Sequence, residues 1–216
     1  MYIAVLIALA LVLAWPAPRL MADLTAFRRA PRAALAVWQA TAVTAVLAAL
    51  ATAPAAVIYF RREHRIIDNN GFIVLAAIVS GLVLTRLMIS GHRVGTQLRS
   101  VRRKHRQLID LLALAAVPGR DPHVRLLEHP TPTAYCLPGL KRRVVLTQGT
   151  IDTLPEAELD AVLAHERAHL IARHDLILEF FTVVHDAVPA FVRSQASLNE
   201  VQLLIEVLAD RAAVRR

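Results

Sequence analysis

Three N-terminal transmembrane helices followed by a small α+β domain, mostly helical with a short β-sheet, is the fold class the sequence predicts. Three observations predict it. Apolar runs are crowded into the first 90 residues, short β-prone pieces bounded by Pro and Gly lie between 123 and 148, and apolar residues return at helical spacing from 156 onward. Of the 216 residues 56% are hydrophobic but only 5% aromatic, more Ala, Leu and Val than one water-soluble domain of this length needs.

The first run, Tyr2 to Trp15, is stopped by Pro16-Ala17-Pro18. It lacks the basic start of a signal peptide and is followed by Arg19, so a short span over about 2–18 is expected, with Trp15 as an interfacial anchor. The second run, Ala33 to Phe60, carries no formal charge. At about 1.5 Å per residue it crosses a hydrocarbon core of about 30 Å, which places a span over 33–58 with Pro54 near its end. The third, Phe72 to Ile89, predicts a span over 71–90, with Arg86 close enough to the boundary to snorkel.

The formal net charge of +8 comes mostly from arginines beside these runs. The first loop holds Arg19, Arg28, Arg29 and Arg32, and Arg93 to Arg106 follow the third run. Loop bias of this kind puts both stretches in the cytosol and the N-terminus outside, so everything beyond about residue 91 is expected on the cytosolic side of the cell membrane. A nucleic-acid binder would interleave its basic residues with stacking aromatics; here the arginines flank spans, so direct nucleic-acid binding is not expected. The single cysteine, Cys136, excludes an intrachain disulfide. A membrane domain over 1–91, a basic linker helix over 92–118 ended by Pro118-Gly119, and a catalytic domain over 119–216 make up the expected organisation.

Candidate strands are Val124–Leu127, Thr133–Leu137 and Val144–Thr147. Thr153-Leu154-Pro155-Glu156 then predicts a capping-box helix start. Inside that helix, His165-Glu166-Arg167-Ala168-His169 sets two imidazoles one turn apart on one face, where both reach a single ion at about 2.0–2.1 Å. Glu166, next to the first of them, is the candidate general base: it takes a proton from the attacking water and returns it to a leaving amine. A third ligand is expected at Glu206, a carboxylate in the apolar run Leu203–Ala209, with Asp210 one turn on to hold a ligand histidine's ring N–H. Salt bridges from Glu206 and Asp210 to Arg173, Arg193 or Arg211 are the alternative. Two His and one Glu with an open fourth position make a catalytic zinc set, one Zn2+ per chain. Ala134, Tyr135 and Cys136 are candidates for an edge strand that takes up substrate backbone, against the alternative of an ordinary strand under the helix. His174 and His185 are candidates for oxyanion stabilisation or for purely structural roles, while His64, His92, His105, His123 and His129 read as loop or interfacial residues.

The pairing of His165-Glu166-Arg167-Ala168-His169 with Glu206-Val207-Leu208-Ala209-Asp210 resembles the HExxH…ExxAD signature of the gluzincin clan of zinc metallopeptidases. Three spans ahead of the catalytic domain, together with Arg173-His174-Asp175 after the motif and Ala134–Gly139 before it, resemble the BlaR/MecR-type antirepressor membrane metallopeptidases. The resemblance implies a gluzincin-type α+β domain, zinc at His165, His169 and Glu206, catalysis by Glu166, and support from Asp210. It also implies cleavage of a cytosolic protein such as a DNA-binding transcriptional repressor. The sequence stops at Arg216 with no fourth span or sensor, so a C-terminally incomplete domain is expected and antibiotic sensing is not implied. HtpX-like and CAAX-processing peptidases share both motifs and are the alternative within the enzyme class; a catalytically silent membrane scaffold is the alternative outside it.

Overall fold

The computed structural model describes residues 2–63, 65–116, 121–139, 142–190 and 193–214, which excludes His64 and the Pro118-Gly119 stop. The chain packs as two compact units, Met1–Val94 with Phe180–Val201, and Gly95–Glu179 with Gln202–Arg216.

The first unit is helical. It contains α1 (Tyr2–Ala14), α2 (Pro16–Ala22), a 3-10 turn (Thr25–Arg29), α3 (Pro31–Arg62) and the beginning of α4 (Asn70–Leu112). Pro16 and Pro31 each open a helix, where a missing N–H costs nothing. Among the described residues three stretches are long and apolar enough to cross a membrane: Tyr2–Ala22, Pro31–Arg62 and Asn70–Leu112. Small residues let the helices approach, and Ile3, Ala56 and Ala76 pack together against Ala53 and Phe60. Ser80 Oγ donates to the Ala49 carbonyl at 2.9 Å, tying α4 to α3.

The unit also takes in the end of α7 (His174–Ala187) and the start of α8 (Gln195–Val214), where a catalytic domain continuous over 119–216 was expected. Its cause is an apolar patch on α7 around Phe181, fixed by hydrogen bonds to α4. Ser90 Oγ donates to Val183 O at 2.8 Å, and Arg86 Nε donates to Ala187 O at 2.6 Å. Arg86 therefore caps the carbonyl end of α7, a favourable place for a cation, and does not simply reach for the interface as expected. Arg28 forms a two-pronged bond to Glu200 at 3.0 and 3.1 Å, which holds the start of α8.

The second unit is a four-stranded sheet between two helices. Strands β1 (Ala113–Ala116), β2 (Val124–Leu127), β3 (Ala134–Leu137) and β4 (Arg143–Thr147) are ordered β1-β2-β4-β3, with β2 and β4 parallel and the other pairs antiparallel. The three expected strands are present. The expected linker helix differs at both ends: α4 runs unbroken from the third span, and it stops at Leu112 because 113–116 pair with β2 as β1. Alternation sorts the side chains into two layers. Val124, Val144 and Leu146 meet Leu159, Leu163 and Leu170 of α6 (Glu156–Ala172), whereas Val145 and Leu137 meet Ile109 of α4.

A short helix, α5 (Gln148–Thr153), turns the chain from β4 towards α6. Gly149 is required there: its N–H donates to His129 O at 3.0 Å, and a Cβ would overlap the Pro130 carbonyl. Gly149→Ala is expected to cost about 2 kcal/mol or more of stability, read as a lowered midpoint in chemical denaturation; an unchanged midpoint contradicts this packing.

Candidate metal centre

Helix α6 starts where the sequence predicts, but by another device. Thr153 belongs to α5, and the N-cap is Pro155 with no side-chain bond. Glu156 and Glu158 in the first turn favour the start electrostatically. Once Leu159, Leu163 and Leu170 are committed to the sheet, the 3.6-residue period turns His165 and His169 to a flank of the helix, where both are partly buried. Helix α8 buries Leu204, Ile205 and Ala209 completely and presents Glu206 and Asp210 on its open side. Glu206 is thus about half exposed, and its position in an apolar run does not reflect a buried charge.

The three predicted ligands come together. His165 Nε2 lies 3.1 Å from His169 Nε2, and Glu206 Oε2 lies 3.4 Å from the first and 3.7 Å from the second. Donors at about 2.0–2.1 Å in tetrahedral directions from one zinc ion are about 3.3 Å apart, so the donor set fits that ion in type, number and spacing. Asp210 Oδ1 accepts from His165 Nδ1 at 2.9 Å, which fixes the tautomer with the Nε2 lone pair facing the other two donors.

His174 occupies a place the sequence did not indicate. Its Nδ1 is 3.1 Å from Nδ1 of His169, on the side of that ring away from His165 and Glu206, and only 3% of the residue is exposed. Burial, with the neighbouring His169 ring, lowers its pKa to about 4, so it is a neutral partner to His169 and not an open cation for an oxyanion. The position depends on Arg173, a non-glycine residue at φ 54° that ends α6 and folds the next turn back. A glycine there is the signal that would have announced the turn.

Edge strand β3 supplies the other wall. Ala134 and Cys136 face α6, whereas Tyr135 faces α4 and its hydroxyl meets His105 Nε2 at 3.0 Å. Of the three expected substrate-strand residues, Tyr135 therefore has only its backbone to offer at the site. His105 is likewise a packed partner and no loop residue. Burial first, then the charge of the nearby Glu166 carboxylate, push the Cys136 thiol's pKa up to about 12. The thiol therefore stays protonated beside the candidate base.

A two-histidine, one-carboxylate cluster on two helices beside the edge strand of a sheet is the arrangement of a metallopeptidase. The sequence bears this out: residues 98–214 match Peptidase family M48, and the chain belongs to that family of zinc metallopeptidases. It is similar to the plastoglobule-localized metallopeptidase 48, chloroplastic, of Arabidopsis thaliana, 37% identical over 120 residues that make up 51% of this chain and 34% of the relative. The chain thus covers about a third of the length of that curated relative. No solved structure matches.

Proposed function

We propose that the chain is a membrane-bound zinc endopeptidase, with one Zn2+ held by His165, His169 and Glu206, that cuts cytosolic protein substrates. The observation that carries this reading is the mutual approach of those three donors within 4.8 Å, with Glu166 adjoining the first of them. Zinc, when bound, supplies Lewis acidity that makes a water acidic near neutral pH and polarises a carbonyl. The protein residues do the rest. Glu166 receives the proton of the attacking water and delivers it to the leaving nitrogen. Strand β3, which among the described residues pairs only with β4, offers its other backbone edge to an extended substrate segment as a further strand. Asp210 orients His165, and Asp210→Asn is expected to weaken zinc affinity by about 10–100-fold in a chelator competition, with unchanged affinity ruling out that role.

Spans ahead of the catalytic unit support a BlaR/MecR-type role, in which the substrate is a DNA-binding repressor, the enzyme sits in the cell membrane, and the site faces the cytosol. The match to Peptidase family M48 supports a second reading, an HtpX-like or CAAX-processing type of housekeeping peptidase. A comparison of cellular protein termini between wild type and Glu166→Gln separates them. One or a few new termini in a DNA-binding protein favour the first, many termini in membrane or damaged proteins favour the second, and no difference returns the chain to a silent scaffold.

A further inference from the structure

We propose that His174 is a positioning residue for the metal centre: its Nδ1 accepts the ring N–H of His169 and so holds that imidazole with Nε2 free for zinc. The inference rests on the zinc reading and adds to it a residue outside both ligand-bearing stretches, 165–169 and 206–210.

The positions of the protons follow from the ligand geometry. His169 Nε2 stands 3.1 Å from His165 Nε2 and 3.7 Å from Glu206 Oε2, so Nε2 is the atom it offers to a metal. A metal-binding nitrogen carries no proton, and the neutral ring then has its single N–H on Nδ1. The atom facing that N–H is His174 Nδ1, at 3.1 Å. His174 must accept there, which leaves its own proton on Nε2. The ring centroids are 4.9 Å apart and the planes stand at 86°, so the rings meet nitrogen to nitrogen and not face to face.

The two histidine ligands thus have unlike supports. His165 Nδ1 is served by Asp210, whose side chain is 70% exposed, whereas His169 is served by an imidazole of which 3% is exposed. Water competes freely for the first bond and hardly for the second, and among the described residues no other acceptor meets His169 Nδ1. The backbone is strained to bring the two rings together. Arg173 at φ 54° lies in the left-handed region, and such conformations persist only where the surroundings hold them. Its N–H bonds to His169 O, so one turn grips the ligand by backbone and side chain together. From the other side Arg102 of α4 holds Asp175 at 3.4 Å and Glu179 at 3.6 Å, which fixes the first turn of α7 and with it His174. Space-filling alone asks for an apolar side chain at so buried a place; an imidazole there answers a polar need.

The test is the zinc affinity of the full chain, stripped of metal and titrated against a chromophoric chelator, so that proteolysis is not needed. His174→Asn puts Oδ1 where Nδ1 stood, bonded to Cγ in each case. His174→Gln is as polar but carries its acceptor one bond further out, where Nε2 stood. The expected result is an affinity within about three-fold of wild type for Asn and a loss of about 10–100-fold for Gln, the usual weight of a residue that orients a ligand. His174→Leu, apolar and still bulky, should lose as much as Gln. Equal affinity in Asn and Gln, or wild-type affinity in Leu, overturns the proposal and leaves His174 as packing. Circular dichroism of the metal-free chains screens for misfolding; should Gln or Leu misfold, the other decides against Asn. Wild type that takes up no zinc removes the centre itself, an outcome distinct from a zinc-binding wild type matched by Gln.

Discussion

Glu166→Gln is expected to suppress peptide hydrolysis while leaving the fold and the metal in place. The expected loss is roughly 10²–10⁴-fold, the usual contribution of a positioned proton-transfer group. Gln matches Glu in shape, but it takes no proton from water and has none to hand to the departing amine. Because His165, His169 and Glu206 are untouched, zinc analysis of the variant should read about one per chain, as in wild type. Turnover of a denatured protein substrate, metal content and circular dichroism together check the result. Full activity in the variant assigns the proton transfer to another group, and lost zinc means that Glu166 is part of the ligand set.

Glu206→Ala is expected to have the largest effect on the metal. It removes the one anionic donor and leaves two imidazoles on a single turn of α6, so zinc affinity should fall further than the about 10–100-fold expected for an outer partner such as Asp210. After dialysis against a mild chelator the variant should hold almost no zinc. It should also lose the stabilisation that zinc confers on the folded state, about 4 kcal/mol at free metal 1,000-fold above Kd. Stoichiometric zinc at wild-type affinity in Glu206→Ala removes α8 from the centre altogether.

His165 and His169 were legible in the sequence as a pair because their relation is set locally, whereas the approach of Glu206 to them comes from the packing of α8. A spacing of four on a helix fixes two imidazoles whatever the rest of the chain does, and one turn of α8 fixes Glu206 relative to Asp210 in the same way. Strands β2, β3 and β4 were legible through their β-branched residues and flanking prolines. Strand β1 was not, since Ala113-Leu114-Ala115-Ala116 prefers helix intrinsically and becomes a strand only because β2 lies open beside it. The role of His174 was hidden for a related reason: it depends on a left-handed backbone at Arg173, which the residue type does not announce. The attachment of α7 to the helical unit escaped notice because its apolar residues also fit a soluble amphipathic helix. Only the carbonyls bonded by Ser90 and Arg86 identify the partner.

Every boundary between the two units falls within a helix: α4 at 94/95, α7 at 179/180 and α8 at 201/202. No uninterrupted stretch of the chain therefore encodes the metal-holding half alone. A soluble version made by deleting the leading segments still carries residues 180–201, stripped of their packing partners, between the two histidines and their carboxylate. Enzymology on this protein calls for the chain intact.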